Sequence, residues 1–202
     1  MKANVGMIYP VASPVATYTP FSAITYGTGF VVSEARGADI NWETEDGEFR
    51  GDDIVLDTAK GILGYTIDFE SAGLADTVKA KLLGDVKDST TDEYTITGKQ
   101  APDVGFGYIR RMRDNSSGTV VENFEAWWYY KVKFAQPNEQ ARTKEKTVEW
   151  RVPTINGTGM GVYLTSGAED PDFATHQTFA TLAAAKAYLN TKAGISTQSA
   201  TT

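Results

Sequence analysis

The sequence contains no cysteine and only one histidine, His176, among its 202 residues. Without cysteine the chain can form neither a disulfide nor a thiolate metal site, and one histidine cannot supply a multi-histidine zinc or iron centre. A Ser/His/Asp triad would have His176 as its sole base, and no serine elbow lies near that residue in the sequence. We therefore expect no enzymatic activity, no cofactor and no metal site.

Long apolar runs are also missing. No segment approaches the roughly 18 apolar residues of a membrane span, and no apolar block of signal-peptide length precedes Pro10. Hydrophobic residues nevertheless make up 41% of the chain, enough for one good core. We expect one compact domain with arms, made in a cytoplasm and either kept there or assembled there into something larger.

The charge is acidic and unevenly distributed, with 19 basic and 26 acidic residues and a net charge of −7. Residues 34–57 carry nine acids against Arg36 and Arg50, whereas residues 108–151 carry nine bases and six acids. This balance argues against a protein that binds DNA phosphates over its whole surface. The two regions could form complementary surfaces for self-association, or they could simply be solvated faces of a soluble domain.

The residue patterns predict a mainly β fold, of β-sandwich or barrel-like type, with one or two flanking helices. We divide the chain into an extended proline-rich arm (1–20), a β domain (21–165) and a C-terminal helix and tail (166–202). Strands are predicted over 23–33, 39–45, 63–69, 94–97, 105–112, 124–134 and 147–155. Helices are predicted at 74–83 and 181–193, a projecting loop at 46–53 and a tight turn at 157–161.

The segment 124–134 carries large residues on both faces of its predicted strand. Alternation puts Trp128 and its even-numbered neighbours on one face, and Trp127, Tyr129, Lys131 and Lys133 on the other. A stable monomer should not leave two large aromatic side chains exposed to solvent. Either a second sheet of the same chain or another subunit is expected to cover Trp127 and Tyr129.

An ordered series of segments resembles the major tail proteins of long-tailed, non-contractile bacteriophages. The series comprises Asn41 to Asp53, Phe69-Glu70, Leu82-Leu83-Gly84, Gly105-Phe-Gly-Tyr-Ile-Arg-Arg, Ala126-Trp-Trp-Tyr-Tyr-Lys-Val-Lys-Phe134, Pro137 with Glu139, Thr143-Lys-Glu, Val148-Glu-Trp and Pro153-Thr-Ile-Asn-Gly157. The resemblance covers about residues 35–160. Its strength lies in the order in which these segments occur, and no single segment is diagnostic.

The resemblance implies a structural virion protein that forms hexameric rings stacked into a hollow tail tube, the conduit for DNA. It also implies assembly in the host bacterial cytoplasm, with a tape measure protein, a tail terminator and distal tail proteins as partners. DNA would pass through without sequence-specific binding, and no membrane would be involved. With the six subunits that the resemblance implies, about four strands from each would close a circle about 48 Å across, wide enough for duplex DNA.

The charged and aromatic residues then acquire candidate roles. The lumen-facing candidates are Glu43, Glu45, Glu48 and Asp68, because an acidic wall repels DNA. The candidates for a loop that reaches the adjacent ring are Asp46, Arg50, Asp52, Asp53 and Asp57. The candidates for lateral subunit contact are Trp127, Tyr129, Lys131 and Lys133. The first two assignments compete for the same acids, and a carbohydrate-binding β-sandwich module is the alternative function, since exposed aromatic rings can stack on sugars.

Overall fold

The computed structural model describes residues 2–32, 35–51, 54–71, 73–115, 119–137 and 154–196. These residues form a mainly β protein, as the sequence predicts. The strands are β1 (Lys2–Thr19), β2 (Ala23–Tyr26), β3 (Phe30–Val31), β4 (Ala35–Gly51), β5 (Ile54–Ser71), β6 (Val86–Lys87), β7 (Tyr94–Thr95), β8 (Asp103–Asp114), β9 (Val121–Phe134), β10 (Thr154–Gly159) and β11 (Ala174–Phe179). The two helices are α1 (Asp76–Leu83) and α2 (Leu182–Ala193).

One antiparallel sheet contains nine of these strands. Its main path runs β2-β1-β8-β9-β10-β5-β4, with β3 paired to β1 and β11 paired to β9, while β6 and β7 form a separate hairpin. The proline-rich N-terminal segment is therefore strand β1, which pairs along most of its length with β8. The three-segment division of the chain stays a prediction, although the structure joins the first and third segments to the central sheet.

The sheet curls around its larger hydrophobic cluster. Phe69 on β5 and Phe106 on β8 are three strand positions apart, a separation of about 14 Å in a flat sheet, yet their ring centroids lie 5.5 Å apart. We call this group the inner cluster; its buried members are Ala12, Val32, Tyr65, Ile67, Phe69, Leu82, Leu83, Val104, Phe106, Tyr108, Tyr129, Val132, Phe134, Ile155 and Phe173. Because the sheet wraps around these side chains, β4 and β5 lie across from β8 and β9.

Helix α2 covers the outside of one half of the sheet. Its buried face joins the helix cluster, which contains Val11, Ile109, Ala126, Trp128, Ala185, Leu189 and Ala193. The predicted ends of this helix are confirmed: the Thr181 hydroxyl accepts a hydrogen bond from the Ala184 amide at 3.3 Å, and Gly194 ends the helix at φ 66°. The predicted helix at 74–83 is confirmed as α1, with Gly84 at φ 83° as its end.

A β-bulge divides strand β9 into two halves. Phe106 pairs with Tyr129, whereas Val104 pairs with Val132, so β9 has one residue more than β8 between these two pairs. Before the bulge, Trp128 faces α2 and Tyr129 faces the inner cluster; after it, Val132 and Phe134 face the inner cluster. The single alternation predicted for 124–134 is therefore wrong, because the extra residue exchanges the two faces.

Two predicted turns are strands in the structure. The loop predicted at 46–53 is largely a continuation of the β4–β5 ladder, in which Asp46 pairs with Lys60 and Phe49 with Asp57. The turn predicted at 157–161 is mostly strand β10, where a side chain at Gly159 would overlap the ring of Tyr65. Glycine is therefore needed there for packing. In the strand predicted at 147–155, residues 147–153 lie outside the described residues, and 154–155 begin β10.

Candidate functional site: a polar sheet face and a projecting ribbon

The outward side of β4, β5 and β10 is a polar face. Residues opposite one another in a ladder share a face, so the register gives its rows directly. One row is Asp39–Asp68–Asn156, and the next is Asn41–Thr66–Thr158, followed on β9 by Lys133 and on β8 by Asp103. Between these rows the inward side chains of Ile40 and Ile67 pack in or against the inner cluster.

The acids of this face are placed close together. Asp39 and Asp68 are directly opposite each other across β4 and β5, an arrangement of like charges that destabilises a sheet. Glu43 and Glu45 follow on the same side of β4, and both are exposed. Three of the four lumen candidates, Glu43, Glu45 and Asp68, thus share one surface. Glu48 lies in β4, and its side chain is outside the described part of the structure.

Two lysines occupy the other end of the polar face. The ammonium groups of Lys131 and Lys133 each lie 3.3 Å from a carboxylate oxygen of Asp103, one on each oxygen. The Lys131 ammonium also lies 5.2 Å from the centre of the Tyr18 ring. These two lateral-contact candidates therefore have ionic partners within their own chain.

The ends of β4 and β5 project beyond the sheet as a two-stranded ribbon, residues 43–51 and 54–64. Strand β10 pairs with β5 only as far as Tyr65, so in the described structure β5 residues 54–64 pair with β4 alone. The remaining eleven residues of β5 extend about 36 Å. Near the base of the ribbon the aliphatic side chains of Ile62 and Leu63 are 47% and 63% exposed. The ribbon thus carries uncovered apolar surface and the densest acidic sequence in the chain.

The candidates for inter-ring contact belong to this ribbon. Asp46, Arg50 and Asp57 lie in its strands, with side chains outside the described part of the structure. Asp52 and Asp53 lie outside the described residues altogether. Their role in inter-ring contact stays a prediction, and the structure places the three described backbones in strands.

Tyr129, one of the two aromatic lateral-contact candidates, is covered by its own chain. Tyr129 is only 1% exposed and packs 5.1 Å from the ring of Tyr65. Burial raises the pKa of Tyr129 well above its usual value. The prediction that Tyr129 is available to a neighbouring subunit is therefore wrong, because the curled sheet brings β5 over it.

Trp127 is held between the two strands that flank β9. The His176 ring on β11 stacks on it at 4.3 Å and 12°, and the Arg110 guanidinium on β8 lies 5.0 Å from its centre. Its indole N–H donates to Glu125 at 2.7 Å. Trp127 is half-buried and lines the cleft between β4 and β8, so part of its ring stays accessible. Its role in lateral contact stays a prediction, and sequence alternation could not reveal these cross-strand partners.

A cleft of about 360 Å³ separates β4 from β1, β8 and β9. Trp42, which is 40% exposed, lines it together with Asn4, Asp39 and Arg110.

The described residues include no group of three acidic or histidine side chains that could hold a metal ion. Neither α1 nor α2, the helices of the described ranges, is long and apolar enough to cross a membrane. In the comparisons with known proteins, neither a protein-family model nor a curated protein matches the sequence.

Proposed function

We propose that this protein is the subunit of a bacteriophage tail tube, a structural virion protein whose copies form hexameric rings that stack into a conduit for DNA. The observation that carries the proposal is the projecting ribbon with its exposed Ile62 and Leu63, next to a sheet face that is polar and acidic. The family resemblance of the ordered sequence segments supports the same function.

The ribbon favours assembly on energetic grounds. A two-stranded hairpin is marginally stable in water unless a third strand or another element packs on it. Its described side chains near the base, from Glu43 to Glu45 and from Gly61 to Leu63, are all exposed. A neighbouring copy that covers the ribbon would stabilise it by burying the aliphatic groups. A contact in which the ribbon of one copy covers a different surface of the next copy is head-to-tail and leads to rings or filaments.

Free sheet edges offer a route to ring closure. In the described structure β4 pairs with β5 alone, and β11 pairs with β9 alone. Edge strands of this kind can accept a strand from another chain. With about four wall strands from each of six copies, the polar face would line a bore wide enough for duplex DNA. The acids of that face would then repel the phosphates and keep DNA from adhering.

A carbohydrate-binding module is the second candidate, favoured by the half-exposed ring of Trp42 in a cleft with Asn4, Asp39 and Arg110. It is the weaker candidate, because His176 and Arg110 already contact the Trp127 ring and leave less of it for a sugar. It predicts a stable monomer that binds glycans on an array. The tube predicts concentration-dependent assembly.

The test is to shorten the ribbon and follow assembly. Replacing residues 47–59 by Asn-Gly retains the Asp46–Lys60 pair and closes it with a two-residue hairpin turn. The matched control replaces residues 88–93 by Asn-Gly, which closes the Lys87–Tyr94 pair of the β6–β7 hairpin.

Negative-stain microscopy and sedimentation at high protein concentration should show hollow filaments for the wild type and the control. The ribbon variant should remain monomeric with nearly unchanged thermal stability. Wild-type monomers under every salt and pH condition would refute the tube. Filaments from the ribbon variant would refute a role for residues 47–59 in the contact.

A further inference from the structure

The paired lysines of the polar face suggest how that face avoids DNA. We propose that Asp103 masks Lys131 and Lys133, so that these two ammonium groups do not hold the phosphates of a DNA duplex passing over the face. The inference rests on the proposed function, since it assigns DNA as the partner of this surface. One carboxylate serves both lysines, with each ammonium 3.3 Å from a different oxygen.

The register of the strands places this triad on the same surface as the acids. Lys133 is opposite Thr158 on β10 and opposite Asp103 on β8, in the row that continues to Thr66 and Asn41. The side chains of Lys133 and Lys131 are 36% and 19% exposed, so solvent and a polyanion can reach them. In six-fold rings the motif would place twelve lysines around the bore.

Stability alone gives a weak reason for such a triad, because partly exposed ion pairs contribute little to folding. Its electrostatic effect on a polyanion is larger. With Asp103 ionised, the triad has a net charge of +1; without it, two adjacent cations remain. The logarithm of the DNA-binding constant falls linearly with the logarithm of the salt concentration. Each phosphate that a lysine neutralises adds about 0.9 to the magnitude of that slope. If neither lysine contacts a phosphate while it is paired with Asp103, unmasking both adds about 1.8 to that slope.

The experiment compares Asp103→Asn with Glu122→Gln. Both variants remove one acid from an ion pair and change the net charge equally, because Glu122 pairs with Arg113 at 3.1 Å. Arg113 is ten residues along β8 from Asp103, a distance of about 33 Å. The probe is a fluorescently labelled 30-base-pair DNA duplex, titrated with unassembled protein by anisotropy at salt concentrations from 50 to 200 mM.

We expect Asp103→Asn to bind the duplex at 50 mM salt at least tenfold more tightly than the wild type or Glu122→Gln. Over that fourfold salt range its affinity should fall about 12-fold more than that of the wild type, as two additional phosphate contacts require. The triple variant Asp103→Asn/Lys131→Gln/Lys133→Gln should return to the wild-type affinity. Equal binding by Asp103→Asn and Glu122→Gln, or undiminished binding by the triple variant, would overturn the masking role.

The measurement on unassembled protein separates this inference from the tube itself. If Asp103→Asn binds DNA as expected but the wild type never forms filaments, masking holds as a property of the surface and the proposed function fails. If filaments form and Asp103→Asn binds no better than Glu122→Gln, the tube stands and masking is refuted.

Discussion

Two leucine-to-alanine substitutions can distinguish residues that stabilise the folded monomer from residues that contribute to the proposed assembly. Leu189 on α2 is 0% exposed and packs in the helix cluster, whereas Leu63 at the base of the ribbon is 63% exposed. Leu189→Ala removes the equivalent of three buried carbons, about 2.4 kcal/mol of transfer free energy, and leaves a cavity, for a total of about 3 kcal/mol. In a protein of this size that lowers the midpoint of thermal unfolding by about 6–12 °C.

Leu63→Ala deletes the same atoms at a site that is mostly in water already. The cost to the free energy of unfolding of the monomer should stay below about 1 kcal/mol, with a shift of at most about 4 °C. If a neighbouring copy covers the ribbon, this variant should instead raise the protein concentration at which filaments form.

Circular dichroism melts of unassembled protein, together with sedimentation of filaments, measure the two effects separately. Equal melting shifts for the two variants would refute the reasoning that α2 is an integral part of the core and the ribbon is not. Unchanged filament formation by Leu63→Ala would remove the apolar base of the ribbon from the contact.

Two further predictions concern charge. Burial raises the pKa values of Tyr26, Tyr65 and Tyr129 well above their usual values. Their contribution to stability is therefore complete below about pH 10 and is lost as the pH rises further, by about 4 kcal/mol per pH unit for the three together. Urea titrations between pH 9 and 12 would measure this loss, and a flat profile would contradict it. Asp68→Asn should stabilise the monomer by about 0.2–1 kcal/mol, because it relieves the repulsion from Asp39. If the protein forms the proposed tube with Asp68 in its lumen, the variant should also slow DNA passage, and unchanged ejection would refute that position of Asp68.

The local features of the fold could be predicted where they depend on neighbouring residues. The ends of α2 follow from a capping hydroxyl at Thr181 and a left-handed glycine at Gly194, both of which act within one turn of the helix. The alternation along 63–69 predicted that Leu63, Tyr65, Ile67 and Phe69 share the core face of β5. Tyr65, Ile67 and Phe69 are buried there, but the prediction is wrong for Leu63, which is 63% exposed at a shift in the β4–β5 register.

The errors arose where a partner distant in the sequence decides the conformation. Gly157 and Gly159 read as a turn because glycine is common in turns, yet they lie in β10, where Gly159 makes room for the ring of Tyr65. The segment 46–51 read as a loop because of its glycine and charges, but its ladder to β5 keeps it extended. Neither the Tyr65 ring nor the β5 ladder can be recognised from the local residues.

By itself the sequence determined the mainly β class, the positions of both helices and the concentration of acids in residues 34–57, since these depend on local periodicity and composition. Only the tertiary structure decided which side chains are available at the surface. A single extra residue in β9 exchanged its faces, and the curl of the sheet brought β5 over Tyr129, so the burial of each aromatic residue was set by strands far away in the chain. The same register placed Asp103 between two lysines of β9, because cross-strand neighbours are fixed by pairing and not by distance along the sequence.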